Sequence, residues 1–414
     1  MRMRFAISAP MWCGATRGMS DRTRPITSHL IGVAFAVLSL SLVVGSEVVA
    51  QNAESADTAA DLASRITLQP GGLIQMRYTL NRREPPAEEN EWIQGFQLTR
   101  VRIALRADFE DRARLFVRAG NDAGGQFKFE RAYADLYFGS TTLRFGQFYV
   151  PGDAELDPSP QNTLAADYSP TGYTFDVGAS QGGMAVFRPG SWRISTMLHA
   201  GLRAGFSQSG AETRADIAAT AYVEHLFVGD GWSGFGGFSS PRGSAPALKV
   251  GLGSTYQTGG ETGNTDTLDL LWASADIRAV GSGWNALGQF TFVRTEPGEG
   301  PDAGQTFDDM GFIAQGGVFA TRHVEVFLRY DQVIPDGKER SADFGGTGTN
   351  DFRTVTGGFN IFLIPGSTLG KFTVDYQYMF DAQTTSIVPT ALNAGVFSST
   401  GPQWTLRAQW VTAF

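Results

Sequence analysis

The stretch RVRIALRADFEDRARLFVRAG, Arg100–Gly120, decides how the chain is read. Arg100, Arg102, Arg106 and Asp108 alternate with Val101, Ile103, Leu105, Ala107 and Phe109. After Glu110-Asp111 the alternation resumes, with Arg112, Arg114 and Arg118 set against Ala113, Leu115, Val117 and Ala119. A period of two marks an extended strand with one apolar and one polar face. Two such strands joined so tightly make a hairpin. The polar face is too charged for a dry interior, because buried guanidinium groups need water or partners.

The same rhythm runs outward in both directions. Ile74, Met76, Tyr78 and Leu80 oppose Gln75, Arg77 and Thr79, while Phe372, Val374, Tyr376, Tyr378 and Phe380 oppose Lys371, Thr373, Asp375 and Gln377. Strands are expected at about 72–81, 95–109, 112–120, 126–138, 141–149, 173–188, 191–202, 215–228, 247–256, 267–280, 284–295, 307–320, 323–334, 352–364, 369–380 and 402–414. Alternation alone fits a soluble sandwich as well as a membrane barrel. Loop lengths separate the two. Glu110-Asp111, Gly139-Ser140, Pro189-Gly190, Gly281-Ser282, Thr321-Arg322 and Pro365 to Ser367 are tight, whereas 81–94, 150–172, 203–213, 296–306, 335–350 and 381–400 are long. Trp192, Trp284, Trp404 and Tyr330 sit near strand ends, where an interfacial girdle belongs. The expectation is an all-β chain: a transmembrane antiparallel β-barrel of about sixteen strands, with short periplasmic turns, long extracellular loops and an aqueous lumen. The stretch GDGWSGFGGFSSPRGSAP, 229–246, falls where a short turn is required and leaves fourteen or eighteen strands open.

Composition agrees. Of 414 residues, 42% are hydrophobic, 12% aromatic and 18% charged, which excludes a disordered chain. Lys and Arg number 33 against 41 Asp and Glu, a net charge of -8 with no basic block, so nucleic acid is excluded as a partner. Leu30–Val44 is apolar, follows Arg17, Arg22 and Arg24, and precedes Val48-Val49-Ala50. Residues 1–50 therefore read as a secretory signal peptide, the run being shorter than the roughly 20 residues that cross a bilayer. Residues 51–71 read as a polar periplasmic lead-in and 72–414 as the barrel. The single Cys13 lies in the leader, so the exported part has neither a disulfide nor a thiolate metal site, and no cofactor or metal is expected.

Arg100–Gly120, the AYADLYF run from Ala132, RFGQFYVPGDAE (Arg144–Glu155), VTGGFNIFLIP (Val355–Pro365) and the terminal WTLRAQWVTAF together resemble the phosphate- and polyphosphate-selective porin family, the porin O/P group. The likeness covers residues 72–155 and 352–414, and the middle shares only strand rhythm. It implies a sixteen-stranded homotrimeric channel of the Gram-negative outer membrane, among its lipids and lipopolysaccharide. It also implies a third long loop folded into the pore, here 150–172, a ladder of lumenal arginines and a basic constriction. The terminal Phe414 resembles the signal read by the barrel-assembly machinery.

Arg77, Arg100, Arg102, Arg106, Arg112, Arg114, Arg118 and Arg144 are the candidate pore-lining, anion-binding residues, since guanidinium forks offer bidentate sites to oxyanions. One hairpin register sets Arg106 opposite Arg114, Arg102 opposite Arg118 and Asp108 opposite Arg112. A shift by two sets Arg106 against Arg112 and Arg100 against Arg118. Like charges so placed require screening. The bland alternative is an ordinary solvated wall, partly neutralised by Glu110, Asp111, Glu130 and Asp135. The constriction loop carries Asp153, Glu155, Asp157 and Asp167 with no Lys or Arg, which departs from a phosphate-selective pore. These carboxylates lack an EF-hand pattern. Glu155 is expected to anchor the loop to the arginine wall, and the two opposed charges to set up a transverse field.

Gly178-Ala179-Ser180-Gln181-Gly182 matches the nucleophile-elbow pattern by letter but lacks the strand-turn-helix setting. His199, His225 and His323 fall on separate strands without metal-ligand spacing. A passive channel for small anionic or polar solutes, not an enzyme, is thus the leading expectation. A weakly cation-selective or non-selective porin is the alternative, and an outer-membrane hydrolase using Ser180 or a closed structural barrel come behind it.

Overall fold

The computed structural model describes residues 65–414 apart from 88, 123–126, 205–214, 260–267, 342–347, 366 and 368. The signal-peptide assignment and residues 51–64 of the lead-in lie outside the described residues. Sixteen antiparallel strands close into a barrel, each paired with its sequence neighbours and the first with the last. They are β1 (Ile66–Arg83), β2 (Trp92–Phe109), β3 (Ala113–Asp122), β4 (Lys128–Phe138), β5 (Thr141–Tyr149), β6 (Ala179–Phe187), β7 (Trp192–His199) and β8 (Ile217–Val228). The second half is β9 (Ala247–Thr258), β10 (Leu268–Gly281), β11 (Trp284–Pro297), β12 (Phe307–Phe319), β13 (Val324–Ile334), β14 (Phe352–Phe362), β15 (Lys371–Met379) and β16 (Gln403–Ala413). Closure leaves no unpaired edge in the barrel wall.

The alternation read from the sequence assigns the faces. Ile74, Met76, Leu98, Ile103, Leu105 and Tyr376 are exposed on the outside, while Gln75, Arg77, Arg100, Lys371, Asp375 and Arg407 are buried inside. The barrel is thus apolar out and polar in, the reverse of a soluble protein. No helix among the described residues is long and apolar enough to cross a membrane.

Four details differ from the sequence reading. Strand β1 begins at Ile66, so residues 66–71 of the expected lead-in pair with Leu105, Ala107 and their neighbours on β2. Residues 173–178 are not strand. A short helix, α1 (Pro170–Thr174), capped by the Ser169 hydroxyl accepting from Gly172 N, precedes β6, and the long loop L3 runs through 150–178. The β2–β3 hairpin uses neither expected register. Glu110 adopts φ 49° and Arg112 N donates to Phe109 O at 3.1 Å, closing a three-residue turn that sets Phe109 against Ala113. Asp108 therefore opposes Arg114, and Ala104 opposes Arg118, so the like-charge pairs across β2–β3 disappear. The fourth is 229–246, which adds no strand: it is a long segment at the turn end, holding one 3-10 turn at Ser233–Phe235.

Gly146 on β5 sits at φ 129°, and a Cβ there would lie 2.3 Å from Ala132 O on β4. Backbone strain of this kind costs about 1–3 kcal/mol. Gly146→Ala should lower unfolding resistance in detergent and folded yield, read as the fraction migrating as compact barrel before heating. Unchanged resistance would contradict the close β4–β5 approach.

Candidate functional site

L3 is drawn into the lumen because its polar groups find partners on the wall. The Asp167 carboxylate is fully buried between two guanidinium groups: Arg77 Nη2 at 2.7 Å, and Arg100 Nη1 and Nη2 at 2.7 and 3.0 Å. Tyr173 of α1 adds its hydroxyl at 2.9 Å. The two cations hold this carboxyl well below the usual range. Neighbouring backbone is gripped as firmly. Ala166 O accepts from Arg77 and Gln409, Ala166 N donates to Asp375 at 2.7 Å, Lys371 reaches Thr163 O at 2.7 Å and Asn360 reaches Leu164 O at 3.0 Å.

Glu155 meets Arg329 on β13 at 3.4 Å and accepts from Ser169 N and Oγ, so its anchor is not the β2–β3 arginine wall as expected; Asp167 makes that contact. Asp153 accepts from Gln289 and from the amides of Glu155 and Leu156. Burial and the nearby Glu155 push its carboxyl up to about 8. Three of the four loop carboxylates are therefore turned into the wall, and Asp157 alone among them is exposed. The acidic loop face opposing the arginines is thereby reduced to Asp153 and Asp157. No group of His, Cys, Asp and Glu among the described residues is arranged to hold a metal ion.

The remaining expected residues divide by location. Arg77 and Arg100 are consumed by Asp167. Arg102 and Arg118 approach opposite oxygens of Glu130 at 2.8 and 2.7 Å. Arg106 and Arg114 share Asp108, each at 2.6 Å, near the turn end. Arg112 lies in the turn itself with its side chain 88% exposed, and does not line the lumen. Arg144 is bidentate to Asp135 at 2.6 and 2.9 Å, and its Cζ sits over the Tyr133 ring, 3.9 Å from the centroid.

Sequence reasoning missed Arg131, Arg188 and Arg193. Arg131 stacks on Tyr149 at 4.1 Å with no partner for its Nε, Arg188 donates to the Thr142 hydroxyl at 2.9 Å, and Arg193 pairs with Glu224 and stacks on Trp232 at 4.6 Å. Their signal was present, since Arg193 stands on a period-two face and Arg188 just precedes Pro189-Gly190. With Arg144 these three line a cavity of about 190 Å³ beside L3, whose other charged walls are Asp153, Asp157 and Glu224. A second cavity, about 730 Å³, shares Arg144, Val186 and Arg188 with the first and reaches the turn residues Glu110, Asp111 and Gly139. The two spaces follow one wall, β3 to β8, in sequence. Apolar side chains fill the space beside them. Phe175, Val177, Trp272, Val333, Phe352 and Met379 pack with Val388 and Val396 of the last long loop into an apolar cluster.

Ser180 is fully buried on β6, and among the described residues no base is hydrogen-bonded to its hydroxyl. His199 bonds Thr220, His225 faces outward between Trp192 and Phe227, and His323 meets Phe362 O.

No protein-family model and no curated protein matches the chain. Solved structures do. It is similar to an anion-selective porin from Comamonas acidovorans, 13% identical over 84% of this chain and 100% of that one, with a TM-score of 0.60. It is also similar to the outer-membrane channel DcaP of Acinetobacter baumannii, at 10% identity over 84% of this chain and 98% of that one, with a TM-score of 0.54. A trimer form of in-vitro folded OmpT, an outer membrane protein of Vibrio cholerae, matches at 12% identity over 84% and 99%, with a TM-score of 0.53. At these identities the likeness establishes the fold, a closed sixteen-stranded porin-type barrel.

Removing one partner from a buried ion pair costs about 3–5 kcal/mol. Asp167→Asn should therefore destabilise the barrel strongly and release L3 to protease, whereas Asp153→Asn should not. A carboxyl raised in the folded state favours folding below its unfolded value of about 4 and loses that advantage as pH rises towards its folded value. Asp153→Asn should gain on wild type from about pH 4 to about 8 and keep a constant lead above. Urea unfolding in detergent across this range checks both, and equal destabilisation by the two variants would contradict the assignment.

Proposed function

We propose that this chain is an outer-membrane channel through which small anionic and polar solutes diffuse passively, and that the arginine strip of β4 to β7 sets its charge preference. The observation that carries the reading is the asymmetry of the lumen. Two open cavities follow Arg131, Arg144, Arg188 and Arg193, while Glu155 and Asp167 of the loop are buried against the wall and Asp157 is the one exposed loop carboxylate beside the strip. A fixed charge acts most strongly where the passage is narrow and screening water is scarce. Arg131 and Arg188 carry most of the preference, because among the described residues no carboxylate pairs with either. Arg144 and Arg193, already matched by Asp135 and Glu224, supply forked donors and stacked rings that orient a planar oxyanion. Tetrahedral phosphate, which the porin O/P resemblance suggests, can take the same forked donors through two of its oxygens.

The non-selective alternative draws on one observation. Asp108, Glu110, Asp111 and Asp135 gather at the turn-end mouth with Arg114, where both signs meet incoming ions. The site offers nothing for hydrolysis, since among the described residues no base is hydrogen-bonded to Ser180. Export by residues 1–50, a homotrimer among lipid and lipopolysaccharide, and recognition of the strand ending at Phe414 by the assembly machinery complete the proposal.

In planar bilayers under a salt gradient, wild type should favour chloride over potassium. Replacing Arg131 and Arg188 together by Ala should lower that ratio about twofold or more, and Asp157→Asn should raise it. A strongly cation-selective wild type, unmoved by the arginine replacements, would overturn the selectivity reading.

A further inference from the structure

Residues 229–246 form the longest connection at their end of the barrel, where the others span at most the eight residues between β14 and β15, and they turn inward. Two cations on the wall beneath hold the segment. Arg278 on β10 donates to Phe235 O at 2.9 Å and Gly237 O at 2.7 Å, with its guanidinium 4.5 Å from the Phe238 ring, and Lys249 on β9 lies 5.7 Å from the Phe235 ring. Ser239 donates to Glu325 on β13 at 2.6 Å. From there the segment reaches L3, which enters from the opposite end. Phe238 N donates to Asn162 O at 2.9 Å, Asn162 Nδ2 donates to Gly236 O at 3.3 Å, and the Phe238 ring packs on Ala154, Leu164 and Ala165 of L3 and on Leu287, Ile313 and Phe327 of the wall. Phe235 and Phe238 are 4% and 2% exposed, burial that a solvent-side turn would not give them.

We propose that 229–246 is a second constriction element, an inset that meets L3 inside the lumen, narrows the β9–β14 side, where a cavity of about 880 Å³ lies along the segment itself with Val280 and Phe362, and leaves the arginine strip as the passage. It is also a positioning element, because Trp232 lies against the Arg193 guanidinium and holds it beside Glu224 in the cavity wall. The proposal rests on the channel reading above. A porin-type barrel needs no such inset to close, since β8 and β9 pair along their lengths without it. Its glycine and serine content lets the backbone follow the lumen, and its aromatic side chains supply the contacts that fix it.

Two measurements test this on the full exported chain. The first is geometric. A Cβ at Gly237 would lie 3.1 Å from Asn162 Cβ, so the double variant Asn162→Cys, Gly237→Cys should form a disulfide on mild oxidation, the exported chain having no other cysteine. The crosslink is read as a thiol-reversible gel shift, and conductance should stay at the wild-type level. The second is functional. Replacing 231–245 by a short Gly-Ser turn should raise single-channel conductance about twofold or more and weaken the anion preference. Trp232→Ala, a milder change, should weaken the preference with little change in conductance. Absence of the crosslink in folded protein overturns the proposal, as does wild-type conductance and selectivity in both the shortened and the Trp232→Ala channels. If the shortened barrel fails to fold, the crosslink and Trp232→Ala decide. Failure of the channel reading looks different: wild type itself would then pass no current.

Discussion

The Asp167 carboxylate between Arg77 and Arg100 is the contact on which the interior depends. A carboxylate and two guanidinium groups, all shielded from solvent, would be costly separately, because each charge loses its hydration. Together, with Tyr173 and the Tyr168 amide completing the bonds to Asp167, they satisfy one another and fix L3 against β1 and β2. Arg77 also reaches Asn393 O of the last long loop at 2.5 Å, and Arg407 reaches Ala394 O at 2.7 Å, so the same wall that grips L3 holds that loop over it.

One consequence is that the distribution of charge, and not its sum, governs the lumen. The chain is acidic overall, yet Glu155 and Asp167 of L3 are spent on structure, and Arg131, Arg144, Arg188 and Arg193 line open space with Asp157 the one exposed loop carboxylate beside them. Pairing Arg144 with Asp135 and Arg193 with Glu224 reduces the net field but aligns the forks, and the Tyr133 and Trp232 rings hold them in place. Arg131 and Arg188 keep the field positive. Under the proposed channel function, a strip with both matched and unmatched arginines would let an anion enter and leave, where a wholly unmatched one would trap it.

The barrel was legible in the sequence because its cause is local: each residue's face follows from its parity, and apolar positions such as Ile103 and Tyr376 point to lipid while Arg102 and Gln377 point inward. The alternation of short and long connections supplied the rest. What escaped the sequence depends on contacts distant along the chain or on a single turn. The φ of Glu110 moved the β2–β3 register by two and replaced opposed arginines with Asp108 facing Arg114. Asp167 read as a pore carboxylate and Glu155 as the anchor to the β2–β3 arginines, until the fold brought Arg77 and Arg100 to Asp167 and Arg329 to Glu155. Arg131, Arg188 and Arg193 were visible as letters, but Arg188 and Arg193 stand in the middle of the chain, which shares only rhythm with the porin O/P pattern, and for all three nothing local distinguishes a lumenal arginine that is consumed from one left open. The inset at 229–246 announced itself only as a turn that was too long.

The central claim is that the passage follows the arginine strip of β4 to β7 while Arg77 and Arg100 are closed off by Asp167. Anomalous diffraction from crystals of the exported protein soaked in bromide tests it directly. Bromide should occupy sites beside Arg131, Arg144, Arg188 and Arg193 and none beside Arg77 or Arg100. Bromide found against Arg77 and Arg100, with the strip empty, would contradict the account.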